Sequence, residues 1–314
     1  MDHVNALPGQ KLITTHSPYF VQHVPFRDLR LVRLTPDGTQ VSWLPPSFSA
    51  PVPHVAGLDP IVANSSGLIV YDRAGQTLTI NGELDETSFR NLCAAYGEHP
   101  DRAVITGVLR RLKDRSELYI PDAELLSLQT FARRIRGEIF FASRWMIVEG
   151  QAEYLAVHAL AKALGYDFDE HGVSLIDAMN NGNPATFAAL ARALSIPFLC
   201  VFDGDPAGRG YCTAIGNRGF SAEFVAERCA TLPAGDLEDQ LLADGLEPEL
   251  REIIGALGHA DALTMDRPTL ERRLEDHKTA YASELAVRIA VNAALAQRMP
   301  RAFRDAILQL RGLT

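Results

Sequence analysis

Between residues 144 and 205 the chain alternates apolar runs with amphipathic ones, and this alternation limits the fold more than any other feature. RWMIVEG is a short apolar strand, QAEYLAVHALAKALG a helix closed by glycine, and HGVSLIDA a second strand. After the loop MNNGN, PATFAALARALS is a helix with proline near its start and IPFLCVFDGD is a third strand. Strand, helix, strand, helix, strand implies an α/β fold with a parallel sheet and right-handed crossovers, flanked by helices. Functional groups in such sheets gather at the carboxyl ends of the strands.

The flanks read differently. Residues 11–45 alternate like short strands, KLITTHS, RLVRLTP and TQVSWL, with PDG as a turn between the last two. PPSFSAPVPHVAGLDP then breaks regular structure and reads as a boundary or linker. From about 85 to 140 the period is helical: Phe89, Leu92 and Cys93 share one face, as do Leu125, Leu128, Phe131, Ala132 and Ile135. Pro121 and Asp122 supply a start signal for the second of these helices. Beyond 235 the pattern is all helical, in EDQLLADG, EPELREIIGALG, DRPTLERRLEDH and one long final run from KTAYASELAVRIAVNAALAQ.

Four carboxylates stand at predicted strand ends. Glu149 ends the first strand, and Glu153 follows four residues later on the first turn of the next helix, where it shares a face with it. Asp203 and Asp205 end the third strand, and residues i and i+2 of an extended chain point the same way, with Gly204 permitting a tight backbone. If the first and third strands are neighbours, all four acids converge. Such convergence raises pKa values and costs folding energy unless a cation sits there. Hard oxygen ligands suit Mg²⁺ or Mn²⁺ rather than zinc. Any one strand-end aspartate serves equally well as a helix cap or turn residue; the set of four is what points to a metal.

VEGQAEYL followed by VFDGDPAG resembles a Toprim domain, whose motif is a strand-end glutamate with glycine and a strand-end DxD. The spelling is similar to that of the overcoming lysogenization defect (OLD) nucleases, in which a Toprim domain follows an ATPase domain of ABC type. KLITTHSPYF resembles the last core strand and H-loop of such an ATPase, with His16 as the switch histidine. The two likenesses cover roughly residues 11–45 and 137–290. They imply four regions: 1–50 as terminal strands of an ABC-type ATPase, 51–140 as a linker and helical dimerisation region, 141–235 as the Toprim core, and 236–314 as a helical subdomain completing the site. They also imply two further site residues. Glu238 of AGDLEDQLL completes metal binding, with Asp239 as the second choice, and Lys278 of DHKTAYASELA faces the metals as one of only four lysines. A working nucleotide site needs a GxxxxGK[ST] loop, and the sequence has no Gly-Lys dipeptide. Either the chain is the carboxyl-terminal part of a longer protein, which strands of an ATPase type at its start favour, or the ATPase has been lost; ATP is expected only in a full-length protein with an intact loop.

The resemblance implies a metal-dependent DNA endonuclease that uses two ions about 4 Å apart to activate water and stabilise the leaving oxygen. Asp203, Asp205 and Glu153 are assigned mainly to metal ligation, Glu149 to ligation or general base catalysis, Glu238 to the second ion, and Lys278 to the charge that builds on the phosphate. Two other readings stay open: strand passage or primase-like chemistry on the same site, and a regulatory, oligomerising module that binds metal without cutting. Strand passage needs a tyrosine nucleophile, and nothing in the sequence marks one among the eight tyrosines.

The formal charge of −9 excludes binding DNA by overall attraction, so local basic patches must serve. Candidates are Arg110, Arg111, Lys113 and Arg115, and Arg133, Arg134 and Arg136. Asn181, Gly182 and Asn183 offer a weaker phosphate contact, and DFDEHG (Asp167, Asp169, Glu170, His171) reads as turn chemistry. The four cysteines form no CxxC pair and read as reduced thiols of a cytoplasmic protein without a membrane segment. A homodimer is expected separately, with the helices of 85–140 as its interface.

Overall fold

The computed structural model describes residues 12–35, 37–135, 137–178 and 183–313, the side chains of 131–135 excepted. Its backbone divides into two units. One is His23–Gln129 with Arg192–Ser195; the other is Thr130–Ala191 with the residues from Ile196 onward and those up to Gln22.

In the first unit, β1 (Leu31–Thr35) and β2 (Gly38–Ser42) form an antiparallel pair from Leu31↔Ser42 to Thr35↔Gly38, as their alternation predicts, and pair only with each other among the described residues. A second sheet has the order β3–β5–β4, from β3 (Phe48–Pro51), β4 (Ile69–Asp72) and β5 (Thr77–Ile80). β3 lies inside the proline-rich segment expected to be irregular. It occupies an edge of the sheet, where a residue without an N–H is tolerated. On the central strand Leu78 and Ile80 point into the core, where they meet Leu58, Phe89, Leu92, Ile105 and Leu109. These come from helices α1 (Leu58–Asn64), α2 (Glu86–Ala95) and α3 (Arg102–Ser116). Asp85 caps α2 by accepting from the Ser88 amide at 2.8 Å. Helix α4 (Asp122–Ile135) begins at the predicted start signal and buries Leu125 and Leu128.

The second unit carries a four-stranded parallel sheet: β6 (Arg144–Val148), β7 (Val173–Asp177), β8 (Phe198–Phe202) and β9 (Cys229–Thr231), in the order β7–β6–β8–β9. Residues 145–148 and every residue of β8 are buried, because the sheet is covered on both faces, which is why these strands read as continuous apolar runs. Met146, Val148, Leu199 and Val201 face a core shared with α5 (Gln151–Ala163). On the opposite face Trp145 meets Phe187 of α6 (Pro184–Ala193) edge to face, Phe202 meets Tyr211 of α7 (Pro206–Gly216), and Phe198 meets Phe224 of α8 (Ala222–Arg228). Cys200 and Cys229 are register partners and the Cys212 thiol bonds to that of Cys229, so three cysteines far apart in sequence meet as free thiols.

The helical tail comprises α9 (Leu237–Ala243), α10 (Glu247–Ala256), α11 (Arg267–Asp276), α12 (Lys278–Val291), α13 (Ala293–Arg298) and α14 (Arg301–Gly312). The long final run expected from the sequence is broken at Asn292. Its backbone leaves the helical region (φ −130°, ψ 94°) and its side chain caps α13 through the Leu295 amide. Residues 12–17, expected as a strand, are irregular, and Pro18–Val21 forms a helical turn. Thr15 Oγ1 takes the Ser17 amide at 3.0 Å, a local bond that replaces strand pairing, and Pro18 removes the next donor. His16 is exposed there; Lys11 lies outside the described residues.

Candidate metal and phosphate site

The chain leaves β6 for β7 and then passes to β8 on the other side of β6, so the strand order reverses between β6 and β8. The carboxyl ends of those two strands bound the crevice in which such sheets bind ligands. Glu149 follows the last residue of β6 and Asp203 follows the last residue of β8; the register Val148↔Val201 sets them side by side. The Asp203 backbone N–H donates to Glu149 Oε2 at 3.0 Å, which fixes one carboxylate across the crevice.

Glu153 is the third residue of α5 and reaches back to accept the Gly150 amide on Oε2 at 2.9 Å. This is half of a capping box, since glycine has no side chain for the other half. Gly204 admits no side chain unless the backbone shifts: a Cβ there would sit 1.9 Å from the Leu232 carbonyl oxygen. Gly208 is under the same constraint, with the Asp203 carbonyl oxygen 2.0 Å from an added Cβ. The two glycines of DGDPAG thus let the loop fold flat against β9 and the start of α7.

Asp205 is placed differently from its partner. β8 stops at Phe202, so strand alternation no longer governs positions 203–205, and Asp205 becomes the N-cap of α7, accepting the Gly208 amide on Oδ1 at 2.8 Å. Asp203 is buried, whereas Asp205 is half-exposed. Glu238, second residue of α9, is buried; its Oε1 accepts the Tyr281 hydroxyl at 2.7 Å and its Oε2 lies 3.5 Å from Lys278 Nζ. Asp239 is exposed and its amide donates to the capping Asp236.

Glu149, Glu153, Asp203 and Glu238 are therefore four buried carboxylates in one electrostatic neighbourhood. Burial, then the charges of Glu153 and Glu149, push Asp203 up to about 8. Burial pushes Glu153 up to about 7, aided by Glu238 and Glu149 against the pull of its own amide hydrogen bond and Lys278. Glu149 is also raised by burial, despite the Asp203 amide. Burial alone would lower Lys278, but Glu238, Glu153, Asp203 and Asp236 together outweigh it and raise the ammonium. Asp203 Oδ1 and Glu238 Oε2 are buried with no hydrogen-bond donor among the described residues. A hard divalent cation fits this donor set: it would neutralise acids that cannot all ionise together and would partner the two orphaned oxygens. The acids are not drawn into a closed cage; among the described residues no three His, Cys, Asp or Glu side chains form a ready coordination group.

The other predicted residues fall away from this cluster. Arg110 and Arg115 lie over the rings of Phe89 and Phe48, and Lys113 pairs with Glu117 and Glu86, so most of that basic patch is engaged internally. The side chains of Arg133, Arg134 and Arg136, and all of Asn181 and Gly182, lie outside the described residues. Asn183 caps α6 through the Ala185 amide. Asp167 pairs with Lys162 and accepts the Asp169 amide, the turn chemistry expected of DFDEHG. Three contributors were not read from the sequence: Tyr281, Asp236 and Tyr211, the last raised by burial and by Glu149, Asp205 and Asp203. Tyr281 stands three residues after Lys278, a helical spacing that would have placed it on the same face. Among the described residues no helix is long and apolar enough to cross a membrane.

Comparison with known proteins places this geometry. Residues 140–205 match the family model of the overcoming lysogenization defect protein-like TOPRIM domain. The uncharacterized protein YbjD of Escherichia coli (strain K12) is 31% identical over 111 residues, 35% of this chain, and the match spans only 20% of that protein's length. Among solved structures, the C-terminal region of the Burkholderia pseudomallei OLD protein is 22% identical, with 55% of this chain and 98% of that one covered at a TM-score of 0.45. The C-terminal region of the Xanthomonas campestris pv. campestris OLD protein is 24% identical, with 54% and 98% covered at 0.41. The span that matches the family model runs from the residues just before β6 to Asp205 and holds both strand ends of the acid cluster, so the chain carries a TOPRIM domain of the OLD type over residues 140–205.

Proposed function

We propose that the chain cleaves DNA by divalent-metal-dependent hydrolysis of phosphodiester bonds, with Asp203, Glu149, Glu153 and Glu238 holding Mg²⁺ or Mn²⁺ and Asp205 adding its free oxygen. One observation carries the reading: four buried acids share one electrostatic neighbourhood with Lys278, which lies 3.5 Å from Glu238, and two of their oxygens have no donor among the described residues. The ions supply, when bound, Lewis-acid activation of water and neutralisation of phosphate charge. Glu149, made more basic by burial, is suited to accept a proton from attacking water. Lys278, 45% exposed at its side chain and held 3.5 Å from Glu238, can offer its ammonium to a phosphate oxygen as charge builds there. The OLD-type TOPRIM match supports the reading.

The test is nicking of supercoiled plasmid in Mg²⁺, Mn²⁺ and Ca²⁺. Asp203→Ala should abolish it while circular dichroism stays unchanged; nicking retained by clean variant protein would sink the assignment. A second reading, strand passage, draws on Tyr211, whose phenol feels Glu149, Asp205 and Asp203. Burial first, and then those same charges, raise its pKa and leave less phenolate to act as a nucleophile. A covalent DNA adduct lost in Tyr211→Phe would favour strand passage.

A further inference from the structure

We propose that Tyr281 is a positioning residue for this site: its hydroxyl fixes the Glu238 carboxylate so that Oε2 alone is presented to a bound cation and to Lys278. The inference rests on the metal-dependent reading above.

The acids are held in two ways. Glu149 is fixed by the Asp203 amide, Glu153 by the Gly150 amide and Asp205 by the Gly208 amide. Those donors are backbone groups, set by the strand ends and helix starts themselves. Glu238 differs: its hydrogen bond comes from a side chain 43 residues away, the Tyr281 hydroxyl at 2.7 Å. The ring of Tyr281 is fully buried in the same apolar cluster as Leu274, Leu285 and Ile289, so packing rather than solvent sets where its hydroxyl points.

Helix α12 therefore delivers two groups to one carboxylate. Lys278 and Tyr281, three residues apart on one face, reach Oε2 and Oε1 respectively. Oε2 is left buried without a hydrogen bond, 3.5 Å from an ammonium that is too far to donate well. Remove the hydroxyl and, among the described residues, Glu238 keeps only Lys278 as a polar partner, so rotation that brings both oxygens to the ammonium is favoured. A closed ion pair would then hold the ligand and the phosphate-facing cation at once. Loss of a group that orients a metal ligand costs about 10- to 100-fold in metal affinity or activity.

Tyr281→Phe keeps the ring and deletes only the hydroxyl. Mn²⁺ affinity, followed by calorimetry or by the signal of free Mn²⁺ in electron paramagnetic resonance, should fall about 10-fold or more. In plasmid nicking kcat should fall while KM for DNA holds, a split that a loss of packing would not produce. In a Glu238→Gln background the same change should have no further effect on Mn²⁺ affinity, because its only route is through that carboxylate. Should Tyr281→Phe fail to fold, fluorotyrosine placed at position 281 keeps ring and hydroxyl while strengthening the donor, and Mn²⁺ affinity should still shift. Wild-type-like Mn²⁺ affinity and kcat in a folded variant, or effects that add independently to those of Glu238→Gln, overturn the positioning role alone. A wild-type chain that neither binds Mn²⁺ nor nicks DNA overturns the nuclease reading and this inference together.

Discussion

Replacing Asp203 by Asn should make the metal-free protein more stable at high pH while destroying the site. The Asp203 carboxyl sits at about 8 in the folded chain against an ordinary 3.8, chiefly because it is buried. Between those two values the folded chain keeps a proton that the unfolded chain has released. The stability associated with this group is thus fully present below the unfolded value and is lost as pH rises toward the folded one. Each pH unit in that window removes up to about 1.4 kcal/mol, so the full span of roughly four units sets a ceiling of about 5–6 kcal/mol. Because Glu153 and Glu149 share the repulsion with it, the titration belongs to the set rather than to Asp203 alone, and we take about half of that ceiling, about 2–3 kcal/mol, as the loss to expect.

Asparagine has nearly the same volume and no charge, but its buried amide is left incompletely paired at a cost of about 1 kcal/mol. The variant should then exceed wild type by about 1–2 kcal/mol near pH 9 and fall slightly below it near pH 5. Urea unfolding in chelator at the two pH values measures both. Adding Mn²⁺ at about a hundred times its dissociation constant should raise wild type by about 2.7 kcal/mol and leave the variant unmoved. A wild type equally stable at both pH values in chelator, or a variant less stable than wild type near pH 9, would refute the claim that these acids repel one another in a dry crevice.

Gly204→Ala should lower stability by about 1–3 kcal/mol and abolish nicking, because its Cβ would stand 1.9 Å from the Leu232 carbonyl oxygen and backbone must shift to admit it; an unchanged melting temperature would show that the loop and β9 are not held so closely. Lys278→Met should lower single-turnover cleavage about 100-fold while Mn²⁺ affinity is kept or improved, since an ammonium no longer competes for Glu238 Oε2. An unchanged rate would remove Lys278 from the chemistry.

The sheet of the second unit was legible because its strands are buried on both faces and so spell continuous apolar runs, RWMIV and FLCVF. Their ends then announced Glu149 and Asp203. The first unit was less legible for the converse reason. β4 and β5 are four residues each, too short for alternation to declare itself, and β3 hides in a proline-rich stretch that only an edge position makes compatible with pairing. Asp205 was ambiguous in the sequence: its residue type serves as a ligand or as a helix cap, and its use as the cap of α7 depends on β8 stopping at Phe202, a boundary the local pattern does not mark.

What the sequence displayed were the charges; what it concealed were the groups that hold them. A strand-end acid is visible because its position follows from a short local pattern. Its donor is invisible when it arrives from far along the chain, as the Asp203 amide does for Glu149 across 54 residues and the Tyr281 hydroxyl for Glu238 across 43. The same division governs energetics. Trp145, Met146, Ile147 and Val148 are wholly buried one residue before Glu149, and Phe198–Phe202 is buried throughout just before Asp203. That apolar burial stabilises the fold strongly enough to force mutually repelling acids into one crevice, where each would be better solvated elsewhere. A site of this kind opposes its own folding until a cation arrives, so stability and metal affinity should move in opposite directions whenever one of its acids is neutralised.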